Sequence, residues 1–160
     1  MKLAVAVIDA LRRKRLLLAT AESCTGGLVA AAITDVAGSS DVFERGFVTY
    51  SNLSKTEMLG VNSGLIETHG AVNTQVAKAM AEGALQFSKA QISIAITGVA
   101  GPGGGSAEKP VGLVHFAVAL RGQSTVHCEM RFGDVGRSEV RLKARDFALQ
   151  LVLDQLNTFP

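Results

Sequence analysis

A serine, a cysteine and two adjacent glycines fall together in Ala21-Glu22-Ser23-Cys24-Thr25-Gly26-Gly27, between the apolar run Leu16-Leu17-Leu18-Ala19-Thr20 and the Ala-rich segment from Leu28 to Ile33. Where a buried strand hands over to a helix, the first backbone N–H groups of that helix lack internal acceptors and attract an anion or a developing oxyanion. Gly26 and Gly27 let a ligand approach the main chain closely. The bland alternative is that Ser23 or Thr25 only caps the helix. Of the two nucleophiles, a thiol at a helix N-terminus can be acidified, but cysteine catalysis normally uses a histidine partner. None of His69, His115 and His127 lies in a motif that marks it as one, so Cys24 reads as a small buried hydrophobe and Ser23 as the nucleophile.

Ser23 then needs a base. Thr49-Tyr50-Ser51-Asn52-Leu53-Ser54-Lys55 follows a second strand-like segment, and in a parallel pair its residues come to the same sheet edge as Ser23. A desolvated lysine can be neutral near pH 7 and accept a serine proton, with a tyrosine hydroxyl to relay or stabilise it. Lys55 and Tyr50 are the candidates, against the ordinary alternative of an exposed lysine and a half-buried tyrosine. A third element, Thr97-Gly98-Val99-Ala100-Gly101-Pro102-Gly103-Gly104-Gly105-Ser106, matches neither the P-loop nor the dinucleotide fingerprint: no GK[ST] occurs, and an extended run follows instead of a helix. It can still wrap a phosphate or ribose, or be a plain loop.

The elements that must position these residues read as helix, strand, helix and so on along one domain spanning residues 1–160. A helix carries Leu3, Val7, Ile8 and Leu11, and its basic end Arg12-Arg13-Lys14-Arg15 suits the helix dipole. Strands are expected at Leu16–Thr20, Phe43–Tyr50, Gln91–Thr97, Val111–Leu120 and Ser124–Phe132, the last two forming a hairpin around Arg121-Gly122-Gln123. Helices are expected at Leu28–Ile33, at Ser54–Leu59, from a cap at Asn73 through Phe87, and at the C-terminus with Val140, Ala144, Phe147, Ala148 and Leu151 on one face. The order α-β-α-β-α-β-β-β-α predicts a three-layer α/β/α sandwich with a mostly parallel, mixed sheet.

Composition narrows the function classes. The chain has 160 residues, 16 Lys+Arg against 14 Asp+Glu, a net charge of +2, seven Phe, one Tyr and no Trp. That is too balanced and too poor in aromatics for a nucleic-acid surface. Two cysteines and three unpaired histidines do not build a zinc site, so no metal is expected. No apolar run reaches the roughly 18 residues that cross a bilayer, and no secretory order of charges opens the chain, so a cytoplasmic protein without membrane partners is expected.

Together these blocks resemble one family, the C-terminal domain of the competence/damage-inducible protein CinA, whose stand-alone members are nicotinamide-nucleotide amidases. Carrying the likeness are Ala21 to Gly27, Ala37-Gly38-Ser39-Ser40, Phe47-Val48-Thr49-Tyr50-Ser51-Asn52 with Lys55, Gly60-Val61, His69-Gly70-Ala71-Val72, Thr97 to Gly104, and Lys109-Pro110-Val111-Gly112. The resemblance implies deamidation of nicotinamide mononucleotide to nicotinate mononucleotide and ammonia, without metal or organic cofactor. It also implies a five-stranded mixed sheet and a homodimer or higher homo-oligomer. It places catalysis on Ser23, Tyr50 and Lys55, and substrate contacts on Glu22, Thr25, Gly26, Gly27, Thr97, Gly98, Gly101 and Arg137. The oxyanion is expected to meet backbone N–H groups around Thr25 and Gly26. Rival readings are a nucleotide-binding domain without turnover and a serine amidase for another small amide or ester. Two departures stand out. Relatives commonly carry Gly-Asp-Arg before the last helix, whereas here Gly133-Asp134 is followed by Val135-Gly136-Arg137, leaving Arg137 as the counterpart. The additional N-terminal domain of the larger CinA proteins has no room in this chain.

Overall fold

The computed structural model describes residues 1–160. Six helices and five strands follow in the order α1 (Lys2–Lys14), β1 (Leu18–Glu22), α2 (Leu28–Thr34), β2 (Phe43–Val48), α3 (Asn52–Leu59), α4 (Ser63–His69), α5 (Thr74–Gln86), β3 (Ile92–Gly98), β4 (Leu113–Leu120), β5 (Val126–Arg131) and α6 (Arg137–Thr158). The sheet order is β2-β1-β3-β4-β5, an open five-stranded sheet with helices on both faces. β1 pairs in parallel with β2 and β3, while β3–β4 and β4–β5 are antiparallel. Four strands therefore run one way and only β4 runs against them, which is the expected mixed sheet.

The two faces are sized differently by sequence alternation. In β3, Ile92, Ile94 and Ile96 point into a core with Val7, Ile8 and Leu11 of α1 and Val140, Ala144 and Val152 of α6. The intervening positions are small. Ala95 joins Ala19, Ala21, Ala117 and Ala119 against Ala77, Ala81 and Ala84 of α5, and Ser93 Oγ donates to the Ala81 carbonyl at 2.6 Å. A face of alanines brings α5 close to the sheet, and the same economy of space recurs where α5 crosses α3: a Cβ on Gly83 would lie 2.0 Å from the Leu59 carbonyl oxygen. Only glycine permits that crossing.

Several boundaries differ from those read in the sequence. β1 begins at Leu18 and takes in Ala21 and Glu22, because the ladder to β2 and β3 continues through Glu22. β2 ends at Val48, freeing Thr49 and Tyr50 for the turn into α3, which Ser51 caps by accepting from the Ser54 N–H. The sequence reading had no α4. Its seven residues carry only Leu65 and Ile66 as apolar side chains, and Asn62 starts the helix by accepting from the Gly64 N–H at 2.8 Å. No helix is long and apolar enough to cross a membrane.

The topology fixes where a site can form. After β1 the chain moves to β2 on one side, then returns past β1 to β3 on the other. The carboxyl ends of these three parallel strands come together, Glu22 opposite both Val48 and Ile96. In open α/β sheets this reversal of direction is where a crevice opens.

Candidate active site

Each of the three strand ends delivers one wall of a cavity of about 280 Å³. The turn after β1 brings Ser23 and Cys24; the turn after β2 brings Tyr50, Asn52 and Lys55; the end of β3 brings Thr97, Gly98 and the loop to Gly104; Ala71 and Val72 close one side and Arg137 the other. Asn73 shapes the Ala71–Val72 wall: it caps α5 through Oδ1 while its Nδ2 donates to the His69 and Gly70 carbonyls. Thr97 Oγ1 ties that wall to the sheet by donating to the Ala71 carbonyl at 2.8 Å.

At the floor, Lys55 is 1% exposed, and its Nζ stands 3.0 Å from Ser23 Oγ, 2.8 Å from the Thr49 carbonyl and 3.4 Å from the Tyr50 carbonyl. No carboxylate pairs with it, so burial pushes its pKa down from 10.5 to about 8, with Cys24 pulling weakly the other way. The two carbonyls can only accept, so a neutral amine directs its two hydrogens at Thr49 and Tyr50 and leaves its lone pair to Ser23. The serine hydroxyl is then the donor. Ser23 is itself anchored by its N–H on the Ile96 carbonyl at 2.9 Å.

Cys24 lies alongside but is not acidified. Burial raises its thiol to about 12, the opposite of an activated cysteine.

Glu22 occupies a different place from the one expected of it. Its fully buried carboxylate accepts from the Val29 N–H at 2.9 Å and the Ala30 N–H at 3.1 Å, so it fills the N-terminus of α2 from inside the protein. The substrate contact expected of Glu22 is thereby corrected: a carboxylate sealed under the helix cannot reach the cavity. Thr25, Gly26 and Gly27 also lie off the cavity wall. The Gly26 N–H is spent on the Ser23 carbonyl at 3.0 Å, and Thr25 is fully buried. Within the turn the Cys24, Thr25 and Gly27 N–H groups have no protein acceptor, and of these residues only Cys24 lines the cavity, so the helix itself supplies no oxyanion donor and the turn supplies the Cys24 N–H.

Tyr50 lines the same cavity as Ser23 and Lys55. Its ring is 61% exposed at the cavity mouth, and its hydroxyl accepts from Arg137 Nη2 at 2.9 Å rather than meeting Ser23 or Lys55. Only its peptide carbonyl reaches the lysine. Arg137 Nη1 donates to the Gly101 carbonyl at 2.8 Å, so one guanidinium bridges the tyrosine turn and the glycine loop. Thr97, Gly98, Gly101 and Arg137 border the cavity. Asn52, Ala71, Val72 and Gly103–Gly104 border it too and were not singled out as contacts. Their signal was available only as sequence blocks, since none has a chemically distinctive side chain apart from Asn52. Nowhere do three His, Cys, Asp or Glu side chains gather as metal ligands.

The chain matches the family model described as CinA C-terminal domain over residues 1–156. It is 49% identical over 156 residues to the nicotinamide-nucleotide amidohydrolase PncC of Escherichia coli K12, covering 97% of this chain and 93% of that protein. It is 52% identical over 149 residues to a CinA-like protein of Akkermansia muciniphila, covering 93% of this chain but spanning only 36% of that longer relative. Among solved structures, the competence/damage inducible protein CihA from Agrobacterium tumefaciens superposes with a TM-score of 0.95 at 53% identity, covering 98% of this chain and 94% of that one. With near-complete coverage in sequence and in fold, this chain belongs to the CinA C-terminal domain family.

Proposed function

We propose that this protein is a nicotinamide-nucleotide amidohydrolase that converts nicotinamide mononucleotide and water to nicotinate mononucleotide and ammonia. The observation that carries the reading is the buried Lys55 amine, with Nζ 3.0 Å from Ser23 Oγ and 2.8 Å from the Thr49 carbonyl and no carboxylate beside it; burial pushes its pKa down to about 8, so that a neutral fraction can accept the serine proton. The similarity to PncC of Escherichia coli supplies the substrate.

In the reaction, Ser23 Oγ attacks the carboxamide carbon as Lys55 takes the hydroxyl proton. The tetrahedral intermediate places its oxyanion on the free Cys24 N–H of the turn and collapses, with Lys55 returning the proton to the departing ammonia. A water, activated by the same amine, then cleaves the Ser23 ester and releases the acid. The cavity has no acidic side chain on its wall; the buried Lys55 amine lies at its floor and the exposed Arg137 guanidinium at its mouth. That polarity suits a molecule with a neutral amide at one end and a phosphate at the other, carboxamide inward and phosphate toward Arg137. A homo-oligomer and a cytoplasmic location belong to the same reading; sedimentation and cell fractionation test them.

The deciding assay is ammonia release from the mononucleotide by purified protein, beside nicotinamide as a phosphate-free control. Release from the mononucleotide well above release from nicotinamide supports the reading. Tight binding with no product would favour a nucleotide-binding domain, and release from unrelated small amides alone would reassign the substrate.

A further inference from the structure

Arg141, on the first turns of α6, reaches over the turn that carries Ser23. Its Nε donates to the Cys24 carbonyl at 3.0 Å and its Nη2 to the Thr25 carbonyl at 3.2 Å. It makes no ion pair with a carboxylate, so its charge is directed wholly at the main chain. The peptide that joins Cys24 to Thr25 thus has a guanidinium on its oxygen and an N–H with no protein acceptor. The neighbouring peptide, from Ser23 to Cys24, has its oxygen on the Gly26 N–H and its own N–H equally uncommitted. Hydrogen bonding at a peptide oxygen polarises the N–H of the same unit, and a cation does so more strongly than a neutral donor.

Glu22 completes the arrangement from the other side. By taking the Val29 and Ala30 N–H groups, its carboxylate removes the helix N-terminus as an anion site and sets a negative charge beneath the turn. An oxyanion forming next to Ser23 therefore needs a compensating cation that is not the catalytic amine, and Arg141 is the residue whose hydrogen bonds end on the turn.

Building on the serine amidase reading, we propose that Arg141 is a positioning residue for the oxyanion: by holding the Cys24 and Thr25 carbonyls it fixes the donors of the turn, and through the Thr25–Gly26 peptide, whose N–H donates to the Ser23 carbonyl, it polarises the Cys24 N–H at the cavity wall toward the tetrahedral intermediate. It acts through the peptide units and touches neither substrate nor Lys55. Its effect belongs to the transition state, because a ground-state carboxamide oxygen carries little charge for these donors to meet.

The test compares wild type, Arg141→Lys and Arg141→Met in steady-state deamidation of the mononucleotide. It adds the affinity of pyridine-3-boronic acid, whose boron accepts a serine oxygen and mimics the tetrahedral centre. Removing a whole oxyanion donor costs about 10²- to 10³-fold in kcat, so misaiming one should cost about 10- to 100-fold. The expected result is a loss of that size in kcat for Arg141→Met with KM within about threefold of wild type, and boronate affinity falling in parallel. Arg141→Lys, which keeps a cation but cannot span two carbonyls, should fall between the two. If the methionine variant does not fold, the lysine variant carries the same split between kcat and KM. Unchanged kcat in a folded variant, or a loss confined to KM, overturns the proposal. An inactive wild type that still binds the boronate with an Arg141-dependent affinity would overturn the amidase reading and leave the role of Arg141 standing.

Discussion

Replacing Lys55 by methionine should change the pH dependence of stability in a way that isolates the buried amine. In the folded protein its pKa is about 8, against 10.5 in an exposed chain. Each pH unit of separation corresponds to about 1.36 kcal/mol, so burial of the charged amine costs about 3 kcal/mol at neutral pH. Between pH 8 and 10.5 the unfolded chain binds the proton and the folded one does not, so unfolding free energy rises with pH across that window. The penalty is fully present below pH 8 and relieved above 10.5. Methionine keeps most of the packing volume but has no titration. It also leaves the Thr49 carbonyl without its donor, at about 1–3 kcal/mol, a loss common to every pH. Urea unfolding of wild type and Lys55→Met from pH 7 to 10 separates the two effects. The wild type should gain on the variant by about 2.5 kcal/mol over that span, while the gap stays nearly flat below pH 7.5. A gap that does not move with pH would mean that the amine titrates at its ordinary value, and the argument for a neutral base at Ser23 would fail.

Cys24→Ser should keep activity within about threefold of wild type in the ammonia assay, since a thiol raised to about 12 supplies no thiolate at working pH. A loss comparable to that of Ser23→Ala would overturn the assignment of the nucleophile. Glu22→Ala should cost about 2–4 kcal/mol in urea unfolding by leaving the Val29 and Ala30 N–H groups buried without acceptors, and a neutral result would mean water replaces the carboxylate. Gly83→Ala should cost about 3 kcal/mol or more, because the added Cβ meets the Leu59 carbonyl oxygen at 2.0 Å; an unchanged midpoint would show that α3 and α5 can separate at no cost.

Most of the architecture is legible in the sequence because alternation and caps encode it locally. The Ile-small-Ile pattern of β3 assigns large residues to the α1/α6 face and small ones to α5, and Asn73 marks the start of α5 by its side chain. The short α4 escapes because its seven residues, Ser63 to His69, include a glycine and only two apolar side chains, whereas the equally short α2 is Ala-rich and continuously apolar from Leu28 to Ile33. Ser23 and Lys55 are legible by residue type once both follow parallel strands. Local reading fails where a polar group is satisfied from afar. Glu22 looks like a ligand contact from its position beside the turn, yet its acceptor capacity is used seven and eight residues along the chain. Tyr50 and Arg137 lie 87 residues apart and are joined only by the fold. Arg141 sits on a long helix among other charged residues, and nothing in its spacing distinguishes it from a solvated arginine until α6 is laid across the turn.

Whether Ser23 attacks with Lys55 as its base is decided by initial rates of ammonia release from nicotinamide mononucleotide between pH 6 and 9.5, with wild type, Ser23→Ala and Lys55→Arg side by side. Wild-type kcat/KM should rise about tenfold per pH unit and level off above about pH 8, following the neutral amine, so that pH 7 gives about one-tenth of the plateau. Ser23→Ala should sit near background throughout, and so should Lys55→Arg, because a guanidinium cannot accept the serine proton. A flat wild-type profile together with near-normal turnover by Lys55→Arg would contradict the account.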